Sequence, residues 1–324
     1  MENMENTKKS VYLIGPGMKP IPPTGWGAVE SLIWDYHENL LKKGIDSTII
    51  NDPNLQNVVG QCNSSKPDVI HIMYDDYIIM APYLNCQRIL YTSHYAYITH
   101  PQFETKYAHY YNNYFKKVIE YQNRIQLNVI SNEIAEVYRK YGYKNEINVI
   151  CNGAREDLFR FSNEPKLISK SVYVAKIEKR KAQYKYQIIS SIDFVGNYQD
   201  SPFDVKRSNY LGEWNKKTLY ENLTEYGNLV LLSEGEADPL VVKEGLIAGL
   251  GVVVSECAAA NLDTSLPFIT VIPNDKLDDI NFVFRKIVQN RLASIKMREQ
   301  IREYALSRFS WNKIIDDYIE KCLK

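Results

Sequence analysis

Residues 229–256 read LVLLSEGEADPLVVKEGLIAGLGVVVSE. Leu229, Val230, Leu231 and Leu232 make a short apolar run of the kind that forms a buried strand, and residues 233–238 have the composition of the turn at its carboxyl end. Pro239 suits the first position of a helix, because the N–H it lacks would be unpaired there in any case. The run 245–250 continues the helix, and GVVVS at 251–255 reads as the next strand. The amides of Leu240 and Val241 then face outward at a positive helix end. Such an end, outside the carboxyl edge of a parallel sheet, is a usual place for a phosphate. Glu236 falls in the loop above it and Glu244 about two turns into the helix. An ionised carboxylate only accepts hydrogen bonds, which suits a hydroxyl-rich ligand such as a hexose or a ribose. Taken alone, two such glutamates are more simply a loop charge and a solvated helix residue, so their surroundings decide.

The same strand–loop–helix plan runs through the chain. VYLI at 11–14 is followed by the loop GPGMKPIPPTGWG and a helical pattern over 28–43. Further strands are expected at 46–51, 68–73, 88–92, 125–130 and 147–150. The pattern restarts at SVYVA (171–175), with strands at 192–195, 229–232 and 251–255. Strands alternating with helices imply a parallel sheet covered on both faces. With 324 residues against roughly 100–200 per domain, two such domains are expected. The polar stretch SNEPK lies in the segment 154–171 that would separate them, giving domains over 1–157 and 158–307. The last residues, 311–324, read as an amphipathic helix with Ile314, Ile315, Tyr318, Ile319 and Cys322 on one face.

Composition excludes several classes. Apolar residues make up 45% and charged residues 24%, the balance of a globular chain rather than a disordered or membrane-embedded one. Lys plus Arg and Asp plus Glu both number 39, so no bulk charge points to nucleic acid and any anion site must be local. The start, MENMENTKKS, lacks the apolar core of a signal peptide, and no run approaches the ~20 residues of a membrane span. A cytoplasmic protein is expected. Cys62, Cys86, Cys151, Cys257 and Cys322 are scattered and odd in number, which suggests reduced thiols rather than a disulfide framework or zinc site.

The segment EADPLVVKEGLIAGLGVVVSE (236–256) resembles the Glu-x7-Glu region of retaining GT-B glycosyltransferases of the family 4 type. Other segments follow in that family's order. VICNGAREDLF (149–159) is similar to its Asn-Gly segment joining the domains, YVAKIEKRKAQ (173–183) to its Arg-x4-Lys phosphate-binding segment, and YLGEW (210–214) to its nucleotide-side strand and turn. GWGAVE (25–30) resembles its Gly-rich acceptor-side loop, and TSHYAY (92–97) the segment with its active-site histidine. The resemblance spans most of the chain. It implies a GT-B fold, two Rossmann-like α/β domains facing across a cleft, with a C-terminal helix over 308–324 crossing back to the first. The first domain would hold the acceptor and the second a nucleoside-diphosphate sugar, whose sugar is transferred with retention of configuration. No metal and no cofactor are implied beyond the donor itself.

The resemblance also assigns roles. Glu236 would bind the donor sugar's hydroxyls and Glu244 those of the ribose. Lys176 and Lys181, five residues apart just after a strand, would converge on the diphosphate and neutralise charge that grows as the glycosidic bond breaks. The family places Arg at the position of Lys176, and a Lys delivers a point charge rather than a planar fork, with Arg180 as a substitute. Gly25 and Gly27, flanking Trp26, let backbone approach either the donor diphosphate or the acceptor. Asn152, Asp238, Pro239, Leu240 and Val241 complete the expected donor-binding set. His94, after RILYT and among Tyr91, Tyr95 and Tyr97, would hydrogen-bond a sugar hydroxyl or help the acceptor lose its proton. His71 in DVIHIM reads as a core residue.

Two departures matter. Pro239 stands where the family has Gly and removes one N–H. An Asp238 carboxylate capping the helix would occupy the amides a phosphate needs. Either its side chain turns toward the sugar, or the lysines carry the diphosphate, or the site is degenerate. An inactive nucleotide-sugar-binding relative therefore stands beside transfer, with a nucleotide-sugar epimerase or a phosphorylase further off. The acceptor is left open among glycan, lipid, protein and small molecule, and a surface helix at 114–126 offers peripheral membrane contact.

Overall fold

The structure, a computed structural model, describes residues 9–25, 27–94, 108–200 and 202–324. It separates into two compact units, one running to Ile150 and joined by Ile315–Lys324, the other comprising Cys151–Ile314.

The first unit is built on a parallel sheet of β1 (Ser10–Ile14), β2 (Asp46–Ile50), β3 (Val69–Ile72), β4 (Arg88–Ser93), β5 (Gln126–Val129) and β6 (Ile147–Val149), in the order β2-β1-β3-β4-β5-β6. Every residue of β3 is buried, as a strand covered on both faces requires. The connections carry α1 (Ala28–Lys42), α2 (Leu55–Ser65), a 3-10 helix Asp75–Tyr83, α3 (Ala108–Tyr110), α4 (Lys116–Glu120) and α5 (Asn132–Lys140). Local chemistry starts two of them. The Asn54 side chain accepts from the amides of Gln56 and Asn57 at the head of α2, and Ser131 accepts from Ile134 at the head of α5.

In the second unit, β7 (Leu167–Val174), β9 (Ile192–Val195), β11 (Tyr226–Leu231), β12 (Gly251–Ser255) and β13 (Ile269–Ile272) form a parallel sheet in the order β13-β12-β11-β7-β9. A separate parallel pair, β8 (Ile177–Glu178) with β10 (Tyr198–Asp200), sits just beyond β7 and β9 in sequence. The helices are α6 (Gln183–Tyr186), α7 (Lys216–Asn222), α8 (Leu240–Ile247), α9 (Ile280–Lys296) and α10 (Arg298–Phe309). Val252, Val253 and Val254 of β12 are all fully enclosed, each side chain contributing about 1.5–3 kcal/mol relative to exposure. The final helix, α11 (Trp311–Tyr318), begins in this unit and ends in the first.

Strand order reverses direction between β1 and β3 in one sheet and between β7 and β11 in the other. In open α/β sheets, ligands bind outside the carboxyl ends of the strands at such points. The loops after β7 and β11 carry Lys176, Lys181, Glu236 and Asp238.

Candidate functional site

In the second unit the chain leaves β7, passes Lys176 and β8, and makes a 3-10 turn at Lys179–Lys181. Ala182 then takes φ 54°, a left-handed conformation costly for a residue with a Cβ, before α6 begins. The Lys181 ammonium donates to Glu236, whose carboxylate also accepts from the Ser233 hydroxyl. The Arg180 guanidinium lies 3.9 Å from the same oxygen and is held by Glu178 and the Gly235 carbonyl. Burial pushes the Glu236 carboxyl up, but the charges of Lys181 and Arg180 and the hydrogen bonds from Lys181 and Ser233 outweigh it and hold the group below its usual range. Glu236 is thus a buried, ionised acceptor. The Gln183 side chain donates to the Lys176 carbonyl at 2.8 Å, fixing that backbone, while the Lys176 ammonium makes no hydrogen bond or ion pair with the described residues.

Helix α8 begins at Leu240, and no side chain caps it. Pro239 stands one position before the expected one, as the residue preceding the first helical turn, in an extended conformation. Asp238 turns inward. Its carboxylate accepts from Lys243 and, at 2.7 Å, from the Asn152 amide, while the Asn152 side chain donates to the Asp238 carbonyl at 2.8 Å. Both partners of the Asp238–Lys243 pair have 0% side-chain exposure, and the ammonium lies 5.7 Å from the centre of the Phe309 ring. Lys243, one turn into α8, needs a counter-charge there, and the carboxylate that supplies it is not available to the helix amides. Further along α8, burial raises the Glu244 carboxyl, and the Lys216 ammonium, 3.9 Å away at the start of α7, pulls it back. Lys216 follows Asn215, which caps α7 by accepting from the Thr218 amide.

In the first unit, Gly25 and Gly27 lie in the loop between β1 and α1; Trp26 is outside the described residues. A Cβ at residue 27 would stand 2.8 Å from a Glu30 carboxylate oxygen, so glycine makes room for Glu30 to lie back across the start of α1. His94 directly follows β4, while Tyr95 and Tyr97 are outside the described residues. Burial pushes the His94 ring down to about 4, so it is neutral at pH 7, and its Nε2 is enclosed without a partner among the described residues. His71 is fully enclosed, its Nε2 2.6 Å from the Thr92 hydroxyl.

Beside His94 lies a group the sequence reading did not single out. Asp75 is buried, and its Oδ1 accepts from the hydroxyls of Tyr91 at 3.0 Å, Tyr110 at 3.3 Å and Ser93 at 3.4 Å. The His94 amide also donates to this carboxyl, and Tyr138 donates to Ser93 at 3.0 Å. The available signal was an Asp-Asp pair followed by the apolar run YIIMA (77–81), where a carboxylate that becomes enclosed must collect donors.

No protein-family model and no curated protein matches the chain. Solved structures do. A sucrose-phosphate synthase from Thermosynechococcus elongatus superposes with a TM-score of 0.74 at 15% identity, covering 97% of this chain and 98% of that one. HepE from Anabaena, in complex with UDP and glucose, gives 0.70 at 13% identity over 96% and 98%. AviGT4, a glycosyltransferase of avilamycin A biosynthesis, gives 0.67 at 12% identity over 96% of each chain. The chain has the fold of these glycosyltransferases, the GT-B fold, with parallel sheets of six and five strands. Among the described residues no group of three or more His, Cys, Asp or Glu is placed to hold a metal, and no helix is long and apolar enough to cross a membrane.

Proposed function

We propose that the chain is a metal-independent retaining glycosyltransferase, taking a nucleoside-diphosphate sugar on the second unit and an acceptor on the first. The observation that carries this reading is the Lys181–Glu236 pair at the strand-order reversal of the second sheet, next in sequence to an α8 end that no side chain caps. Lys176, Lys181 and the amides of Leu240 and Val241 would hold the diphosphate. Their charge is aimed at the leaving group, where negative charge develops, and costs no reorganisation during reaction. Glu236, kept ionised by Lys181 and Arg180, would accept from the donor sugar's hydroxyls, and Glu244 from the ribose. A His94 ring near 4 is too weak a base to retain an acceptor's proton at pH 7, so its role in this scheme is to hydrogen-bond a sugar hydroxyl. Asn152 and Asp238 would act indirectly, by tying down the loop before α8. The alternative of a binding protein that does not transfer rests on Pro239, which removes one amide from the helix end.

The test begins with thermal shifts against UDP, GDP, ADP and their sugars, without metal and then with Mg²⁺; the UDP and glucose bound in HepE make UDP-sugars the first choice. Glu244→Ala is expected to weaken every nucleotide about tenfold or more, the size of a lost charged hydrogen bond. Lys181→Ala should weaken diphosphates but not the nucleoside, and Glu236→Ala should act only when the sugar is present. Release of nucleoside diphosphate on addition of acceptors, with the product anomer matching the donor, completes the assignment. Well-folded protein that binds no nucleotide would sink it, and binding without release under any acceptor would favour the alternative.

A further inference from the structure

Asp75 opens the 3-10 helix Asp75–Tyr83 that follows β3, and three elements close around it. Tyr91 and Ser93 reach it from β4, Tyr110 from α3, and Tyr138 from α5 through Ser93. Three hydroxyls share one carboxylate oxygen, and the amide of His94 is bound to the same carboxyl. We propose that Asp75 is a positioning residue for His94, fixing through these bonds the strand end that carries the imidazole and changing that position when its own carboxyl gains or loses a proton. The proposal rests on His94 being an acceptor-side group, as read above, but the coupling it asserts can be measured without that reading.

The chemistry follows from donor and acceptor counts. Ionised, the carboxyl only accepts, and all four donors are satisfied. Protonated, it loses the charge that strengthens these four bonds, so the hydroxyls and the His94 amide are held less tightly and the network beside that amide relaxes. Burial pushes the carboxyl up to about 7, with the hydrogen bonds from Tyr91, His94 and Tyr110 working against it and the charge of Asp76 adding to it. The switch therefore falls at neutral pH. The tyrosine hydroxyls and the two histidine rings around it do not share that range. Tyr74, Tyr91, Tyr110 and Tyr138 are all raised above their usual value of 10, the His94 ring lies near 4 and the His71 ring near 3. Burial also raises Asp76, from its usual 3.8.

The experiment is a histidine-selective NMR titration of the full chain without ligand, with the His94 ring signal assigned by His94→Gln. The unaltered protein should show a step in the His94 signal near pH 7 although that ring itself stays neutral, and Asp75→Asn should abolish the step. Tyr91→Phe keeps the ring and removes one donor to the carboxylate, so it should move the step to higher pH; this variant carries the test if Asp75→Asn does not fold. No step in the unaltered protein, a step that survives Asp75→Asn, or one that Tyr91→Phe leaves in place overturns the proposal. Failure to bind any nucleotide would overturn the donor-site reading and leave these shifts as they are.

Discussion

Asp238 and Lys243 are both fully enclosed, and neither ion would be tolerated there without the other. Truncating one partner leaves the other buried and uncompensated, so Asp238→Ala should cost about 3–5 kcal/mol. Pairing Asp238→Asn with Lys243→Met should recover most of that loss, because an amide oxygen still accepts from the Asn152 N–H and no charge remains to be solvated. Urea midpoints for the two proteins decide the matter. A cost below about 1 kcal/mol for Asp238→Ala would mean that water reaches the pair, since that is the worth of an exposed ion pair. The same pair bears on the readings that this stretch left open. An aspartate before a helix reads locally as a cap, but the stronger demand came from an ammonium five positions on with nowhere else to turn.

Elements were legible where local composition and tertiary role agree. The strands at 11–14, 88–92, 192–195 and 251–255 were apparent because apolar runs bounded by turn residues survive as largely buried parallel strands, as β1, β4, β9 and β12 do, while β2, expected at 46–51, is buried only at Ser47 and Ile50. β13 was missed because ITVI has only its two end residues buried, and β8 and β10 because Ile-Glu and the exposed Tyr-Gln-Asp contain no apolar run. In the site, Lys181 and Glu236 stood out by following strands. Ser233 and Asp75 follow strands as well, but neither they nor Lys216 stood out, since each matters through a partner supplied by the fold. The docking of the C-terminal residues was likewise unreadable from their periodicity alone. In the first unit the Tyr318 ring stacks on His71 with centroids 5.4 Å apart, meets Tyr36 edge-on at 5.1 Å, and shares a hydrogen bond with His71 Nδ1 at 3.0 Å. Tyr318→Phe should therefore cost about 1 kcal/mol for the hydrogen bond, and Tyr318→Ala about 3–5 kcal/mol for the aromatic core contact. Proteolysis should then cut residues 9–150 of Tyr318→Ala first and leave 151–314 protected. Equal sensitivity of the two variants would place Tyr318 outside the core of the first unit.

At the scale of the whole chain, acid should act on the first unit through three buried groups whose effects have opposite signs. His71 is pushed down to about 3 and His94 to about 4, both from 6.5, by burial. The unfolded chain therefore takes up their protons below about 6.5 while the native chain refuses them, and stability present above 6.5 is lost as pH falls toward 4 and then 3. Asp75, raised from 3.8 to about 7, works the other way: the native chain holds a proton that the unfolded chain does not, and this contribution is lost as pH rises through 7. Between pH 6 and 5 the unfolded state gains two protons on the histidines against one on Asp75 in the native state. With about 1.4 kcal/mol per pH unit for each net proton, stability should fall by roughly 1 kcal/mol per unit in this window. Asp75→Asn removes the opposing proton and should make the fall about twice as steep, although the variant carries no additional acidic or basic group. Unfolding free energies of the first unit in urea, measured at pH 7, 6 and 5 for both proteins, give the two slopes directly. Parallel slopes would mean that Asp75 does not hold its proton near neutrality in the folded chain, and would also remove the physical basis for its control of His94.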